Sequence, residues 1–163
     1  MSDLNTSHSP TTTSLVSANS SQIPDGAAFV VFDTETSGLS ANDVVVQLAY
    51  VVCDKDGNVL STYNQLWKLP PGVWLNRQSV AIHKITYAML KARGVDPARE
   101  LRRLNRFIAA TQERGIVWVA HNVQFDRRMV RQTADRVHDS IDAVVSNPHF
   151  FCTLAERALF LSN

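Results

Sequence analysis

The sequence has few of the residues that restrict a chain to a specialised class. It contains two cysteines, Cys53 and Cys152, which lie in apolar surroundings and without metal-ligand spacing. We therefore expect two small core residues in a reducing compartment, not a disulfide or zinc scaffold. No stretch is long and apolar enough to span a membrane, and the N-terminus lacks the basic and apolar segments of a secretory signal. These absences predict a cytoplasmic protein without a membrane partner.

Charge is nearly balanced over the chain but is unevenly distributed along it. The formal net charge is +1, with two basic and seven acidic residues before Arg77, and fourteen basic and eight acidic residues from Arg77 onward. This asymmetry is compatible with a C-terminal half that faces a polyanion. Solvated, arginine-rich helix faces explain the same counts, so both interpretations stay open.

The composition predicts one globular domain after a polar tail. Residues 1–26 are dominated by serine, threonine and asparagine and cannot bury enough apolar surface to offset ordering, so we expect a disordered tail. The remaining residues, 27–163, are rich enough in apolar side chains for one folded domain with its own core.

The order of elements predicts a mixed α/β sheet. Apolar runs at about 29–36, 44–53 and 58–68 read as three antiparallel strands, with a hairpin signal at Asp56-Gly57. Helices are expected at 87–93, after Thr86 as N-cap, and from Pro97 to Gly115. A buried strand at 116–120, a helix after Asn122, a strand at 150–152 and a helix at 153–161 complete the pattern. We therefore expect three antiparallel strands, then parallel strands, with helices on the faces of the sheet.

Two carboxylates end the first predicted strand. Asp33 and Glu35 are two residues apart, so they point to the same face of a strand. Adjacent carboxylates repel each other, and a hard divalent cation such as Mg²⁺ removes that penalty. A pair that simply points into water is the ordinary alternative, and these two residues alone do not decide between the two.

A third carboxylate is expected at the same edge of the sheet. Asp126 lies in the first turn of the helix that follows the strand 116–120. A right-handed crossover makes that strand parallel to the first, so their carboxyl ends share an edge. We therefore expect Asp126 to meet Asp33 and Glu35 there. Two metal ions would stabilise such a cluster and suit phosphodiester cleavage.

These segments resemble the DnaQ-like DEDD exonucleases of the ribonuclease H-like superfamily, most closely the branch with a catalytic histidine. Residues 32–38, Phe-Asp-Thr-Glu-Thr-Ser-Gly, resemble the first motif of the family, and residues 120–126, Ala-His-Asn-Val-Gln-Phe-Asp, resemble the second. Between them, residues 82–86 resemble the His-Gly-Ile-Thr segment of the family, with Lys84 in place of the glycine.

The resemblance implies removal of nucleotides from a single-stranded or frayed nucleic-acid 3′ end, in the 3′→5′ direction. It implies that Asp33, Glu35 and Asp126 hold two Mg²⁺ or Mn²⁺ ions. It also implies that the substrate-binding residues are Thr36, Leu39, His83, Asn122 and Phe125. Each of the last four has an ordinary alternative: core packing for Leu39 and Phe125, loop support for His83 and helix capping for Asn122. Arg127, Arg128 and Arg131 would either bind phosphates or form a solvated helix face.

The sequence departs from the family in its third motif. The family has a fourth carboxylate and, in its commonest branch, a histidine base, in a His-x-Ala-x-x-Asp or Tyr-x-x-x-Asp segment that this chain lacks. His138 and Asp142 do not replace it, because the spacing is one residue short and the alanine is absent. We therefore expect an exonuclease domain that is incomplete at its C-terminus, with little activity as given and apolar surface left uncovered.

Two other functions remain possible on the sequence alone. The alternative is an inactive nucleic-acid-binding module of the same fold, which holds ends without cutting them. A different metal-dependent phosphotransferase is disfavoured by the second motif.

Overall fold

The computed structural model describes residues 23–155, which form one five-stranded sheet with helices packed against it. The strands are β1 (Ala27–Thr36), β2 (Val45–Asp54), β3 (Val59–Leu66), β4 (Val117–Ala120) and β5 (Phe150–Cys152). The helices are α1 (Arg77–His83), α2 (Tyr87–Arg93), α3 (Pro97–Glu113), α4 (Val123–Val137) and α5 (Asp142–Ser146).

The sheet has the predicted topology. Its strand order is β3-β2-β1-β4-β5, with β1, β2 and β3 antiparallel and β4 and β5 parallel to β1. Residues 29–31 of β1 pair with residues 117–119 of β4, so both strands run toward the same edge. The predicted mixed α/β class and the shared edge are therefore confirmed.

One face of the sheet carries the main core. Alternate residues of β1, such as Val30 and Phe32, are buried against α3 and α4 together with Trp118 of β4. The ring of Phe32 meets the ring of Trp118 edge to face, with centroids 5.3 Å apart. The Trp118 indole N–H donates to the Thr111 hydroxyl, so this buried polar group is satisfied.

The opposite face of β1 is partly open. Phe29 and Val31 are 37% and 43% exposed, and Phe151 of β5 is 43% exposed. Within residues 23–155, this face thus presents apolar side chains to solvent.

Two short helices were not predicted. Helix α1 has no buried side chain and therefore no apolar period to recognise; Asn76 caps its start, and Lys84 ends it in the left-handed region with φ 62°. Helix α5 has five residues, which is too short for a helical period to show. In contrast, α2 and α3 begin after their predicted caps, Thr86 and Asp96.

Several smaller expectations need correction. Ile23 packs against the core, and its carbonyl accepts a hydrogen bond from Arg114, so residues 23–26 do not belong to the tail. The rest of the predicted tail and residues 156–161 of the last predicted helix lie outside the described residues; 153–155 are helical. Cys53 is buried as expected, whereas Cys152 is half-buried. In the part of the chain that is described, no helix has the length and apolar character needed to cross a membrane.

Candidate active site

The end of β1 presents two carboxylates on one face. Asp33 is exposed and Glu35 is half-buried, and they lie opposite Ala49 and Gln47 of β2. Burial raises the pKa of Glu35, and the neighbouring charge of Asp33 raises it further. The predicted side-by-side arrangement at the strand end is therefore present, and the two groups repel each other.

Asp126 reaches the same strand end from the first turn of α4. The Thr34 hydroxyl donates a hydrogen bond of 2.6 Å to Asp126 Oδ1, and the carboxylate is buried, with the residue 3% exposed. Burial raises the pKa of Asp126 to about 6, the Thr34 hydrogen bond opposes this shift, and the charge of Asp33 adds to it. The two motifs thus meet at one edge through Thr34, which lies between Asp33 and Glu35.

The tight cluster of three carboxylates that we expected is not formed. Asp126 points to the Thr34 hydroxyl, and among residues 23–155 no three His, Cys, Asp or Glu side chains lie close enough together to hold a metal ion. The physical reason is mutual repulsion, which favours separate hydrogen-bonded positions for like charges. The donor chemistry nevertheless fits Mg²⁺ or Mn²⁺, because all three groups are carboxylates and Asp33 raises the pKa of both others.

Helix α4 is fixed to the turn between β1 and β2. Gln132 donates through Nε2 to the carbonyls of Ser40 and Asp43, at 3.0 and 2.9 Å. At the next residue of α4, the Thr133 hydroxyl accepts from the Val45 N–H at 2.9 Å. These contacts place Asp126 at the strand end with a defined orientation.

The turn after β1 is ordered by Asp43. Its carboxylate accepts from the Ser37 hydroxyl and from the N–H and hydroxyl of Ser40, at 2.7 to 2.8 Å. Burial opposes its ionisation, but these hydrogen bonds outweigh burial and lower the pKa of Asp43. A Cβ at Gly38 would lie 2.5 Å from Asp43 Oδ2, so the close approach requires glycine there.

Thr36 and His83, both implied to bind substrate, contact each other through the backbone. The Thr36 hydroxyl donates to the Gly38 carbonyl at 2.8 Å. The His83 Nδ1 accepts from the Ile85 N–H, so its Nε2 carries the proton and donates to the Thr36 carbonyl at 3.2 Å. Both ring nitrogens are therefore engaged. This agrees with loop support, which was the alternative to substrate binding for His83.

The other three implied substrate residues lie around this edge in different environments. Leu39 is 72% exposed, so core packing is excluded as its role. Asn122 is the N-cap residue of α4, and its carbonyl accepts from the N–H groups of Phe125 and Asp126, although its side chain forms no capping hydrogen bond. Phe125 is half-buried against the core, with the Arg128 guanidinium 5.3 Å from its ring centroid.

The three arginines of α4 have different surroundings. Arg127 donates to the carbonyls of Val144 and Val145, and its guanidinium lies over the Phe150 ring at 4.6 Å. It therefore joins α4 to α5 and β5, which neither expectation for it had included. Arg128 donates to Gln132 at 2.8 Å, and Arg131 is exposed.

The backbone positions of Lys84 and His138 explain how each departs from the family motifs. Lys84 occupies a left-handed position with φ 62°, the conformation that favours glycine, which is the residue it replaces in the related segment. His138 ends α4 and Asp139 pairs with Arg102. His138 lies twelve residues along α4 from Asp126, about 18 Å by helical rise, so it does not supply the third motif.

Sequence reasoning missed Thr34 and Asp43 as site residues. Thr34 lies between Asp33 and Glu35 in β1, so its side chain points to the opposite, buried face, which is the signal that could have found it. Asp43 follows Ser37 and Ser40, a spacing typical of a turn closed by side-chain hydrogen bonds.

Comparison with known proteins agrees with this geometry. A family model described as exonuclease (RNase_T) matches residues 30–157. The chain is 37% identical over 111 residues to a DNA polymerase III subunit epsilon-like protein of Rhodobacter capsulatus, covering 66% of this chain and 15% of that protein.

Solved structures share the fold. A product-bound exonuclease I has a TM-score of 0.70 and 23% identity over 82% of this chain and 32% of its own. The zinc-bound form of Escherichia coli exonuclease I with single-stranded DNA has the same TM-score and identity, over 82% and 30% of the two chains. This chain thus spans less than a third of the length of each of these proteins.

Proposed function

Because the chain belongs to the RNase_T exonuclease family, we propose that it removes nucleotides from the 3′ end of nucleic acid by a metal-dependent reaction. The observation that carries the proposal is the 2.6 Å hydrogen bond between Thr34 and Asp126, which brings both acidic motifs to one strand end. The relative named as epsilon-like and the exonuclease I structures support the same reaction class.

Asp33, Glu35 and Asp126 are the residues that would hold the ions. They supply carboxylate oxygens from two elements, β1 and α4, and their mutual repulsion is relieved by cations. A pair of bound divalent ions supplies Lewis-acid stabilisation to the phosphodiester oxygens. Leu39 and Phe125 flank this edge and would contact the terminal base, while Thr36 and His83 hold the backbone of the turn in place. Asn122 completes the proposed substrate-binding set.

We further propose that the 163-residue chain cleaves slowly. His83 has both ring nitrogens engaged, and the sequence after Asp126 contains neither His-x-Ala-x-x-Asp nor Tyr-x-x-x-Asp. The loss of a positioned general base costs about 100- to 10,000-fold in rate. Single-turnover conditions with protein in excess are therefore the appropriate assay.

The test uses a 5′-labelled single strand with Mg²⁺ or Mn²⁺. We expect shortening one nucleotide at a time from the 3′ end, loss of the reaction with EDTA or Asp33→Ala, and no change with the exposed control Asp25→Ala. Binding of the strand without shortening, even with the chain in large excess, would instead support the non-cleaving module. If the strand is neither bound nor shortened, both the exonuclease and the non-cleaving module are refuted.

A further inference from the structure

The part of the chain that surrounds α1 and α2 has no acidic residue. Residues 57–95 contain no aspartate or glutamate, and the five basic residues in this stretch are Lys68, Arg77, Lys84, Lys91 and Arg93. Ion pairs among residues 23–155 are formed by Lys55, Arg102 and Arg103, so none of these five has a carboxylate partner there. The stretch therefore presents uncompensated positive charge.

Helix α1 is attached to the candidate active site at both ends. Before the helix, the Asn76 N–H donates to the Ser37 carbonyl at 2.7 Å. At its last residue, the His83 ring donates to the Thr36 carbonyl at 3.2 Å. Since α1 has no buried side chain, these two contacts fix a solvent-facing segment to the turn that follows Asp33 and Glu35.

Two exposed aromatic residues flank this segment. Trp74 is 76% exposed and Tyr87 is 49% exposed. They are held near each other, because the Leu75 N–H donates to the Tyr87 hydroxyl at 2.7 Å. Tyr87 also lines a groove of about 390 Å³ together with Lys68 and Lys91. Aromatic rings and lysines therefore share one surface beside the site.

We propose that Trp74, Tyr87, Lys68 and Lys91, here called the α1–α2 surface, bind the unpaired nucleotides that precede the 3′ terminus of a single strand. Trp74 stacks on a base, and the lysines neutralise phosphates. The inference rests on the proposed function, which places the 3′ terminus of the strand at the carboxylates and the preceding nucleotides on this surface. A single strand is the occupant that fits, because it offers both exposed aromatic faces and regularly spaced negative charge.

The three tryptophans of the chain make the test direct. Trp67 and Trp118 are 0% and 1% exposed, so a ligand at the surface changes the emission of Trp74 alone. Oligothymidylate is titrated in EDTA, which prevents hydrolysis, and tryptophan fluorescence and fluorescence anisotropy of a labelled strand are both recorded. We expect quenching of the wild-type protein and a Kd about 5- to 150-fold weaker for Trp74→Ala, with partial recovery in Trp74→Phe.

Control variants separate stacking and charge from unfolding. Val145→Ala removes an apolar side chain on α5 that is 54% exposed, and Lys55→Ala removes a basic one outside the stretch; both should bind as the wild type does. Lys91→Ala should weaken binding and reduce the slope of log K against log salt by about 0.7. Thermal melting of each variant checks that the fold is kept.

Three results would overturn the inference: unchanged affinity in Trp74→Ala, absence of quenching on binding, or equal quenching and competition by polyglutamate, which would indicate a non-specific anion surface. The outcome is separable from the proposed function. If Asp33→Ala abolishes shortening while Trp74→Ala binds normally, the nuclease stands and this surface does not. If no shortening occurs but binding depends on Trp74, the surface stands without the reaction.

Discussion

Replacing Asp126 by asparagine should stabilise the folded protein while removing a proposed metal ligand. The carboxylate is buried, and its pKa is raised to about 6 from an ordinary value of 3.8. Between these values the folded chain keeps a proton that the unfolded chain has released. The stabilising contribution of the protonated group is therefore complete below about pH 4 and is lost as the pH rises through about 6.

The size of the effect follows from this shift. About two pKa units at about 1.4 kcal/mol each correspond to roughly 3 kcal/mol of folding free energy spent on ionising Asp126 above about pH 7. Asparagine carries no charge and can still accept the Thr34 hydroxyl through its amide oxygen. We expect Asp126→Asn to be more stable than the wild type by up to about 3 kcal/mol at about pH 8, a rise in Tm of about 6–12 °C, and nearly equal to it at about pH 4.

Urea denaturation at both pH values, in EDTA, measures this difference. Asp135→Asn, an exposed position on the same helix, should change the free energy of unfolding by no more than about 0.5 kcal/mol at either pH. Added Mn²⁺ should raise the Tm of the wild type and leave that of Asp126→Asn unchanged. A variant that is no more stable at about pH 8, or whose gain is the same at both pH values, would show that ionisation of Asp126 is not the cause.

Three further changes test the local geometry. Thr34→Val removes the hydroxyl that donates to Asp126, so the free energy of unfolding at about pH 8 should fall by about 1–3 kcal/mol. The Mn²⁺ affinity measured by calorimetry should also fall, and Thr34→Ser should restore both quantities. Unchanged affinity in Thr34→Val would contradict the role of the hydrogen bond. Lys84→Gly relieves a left-handed backbone and should raise the free energy of unfolding in urea by about 1 kcal/mol, and a loss would refute the strain. Gly94→Ala places a Cβ against the Leu90 carbonyl and should lower the free energy of unfolding by about 1–3 kcal/mol. A Tm equal to that of the wild type would count against the clash.

The sheet and its long helices were predictable because their apolar residues recur at the spacing of a strand or a helix over several residues. The strands 45–54 and 117–120 are apolar runs between turns, and α3 shows its buried face as Leu101, Leu104 and Ile108. Caps gave the helix starts, since Thr86 and Asp96 both accept from N–H groups of the following turn. Helix α1 could not be found in this way, because it is held by Asn76 and His83 to the turn beyond β1 and not by an apolar face.

The positions of the candidate carboxylates in the fold were predictable, but their detailed geometry was not. Spacing placed Asp33 and Glu35 on one face, and topology placed Asp126 at the same edge. The orientation of Asp126 toward Thr34 depends on a balance between repulsion and one buried hydrogen bond, which no sequence period encodes. Arg127 shows the same limit, because its acceptors, the carbonyls of residues 144 and 145, lie 17 and 18 residues further along the chain, where no helical spacing connects them to it.

Helix α4 contacts three separate parts of the molecule along its length. Its first turn holds Asp126, its middle holds Ser40 and Asp43 through Gln132, and near its end Arg136 donates to the Pro71 carbonyl at 3.2 Å. The loop at Pro71 and the acidic strand end are therefore both attached to this one helix.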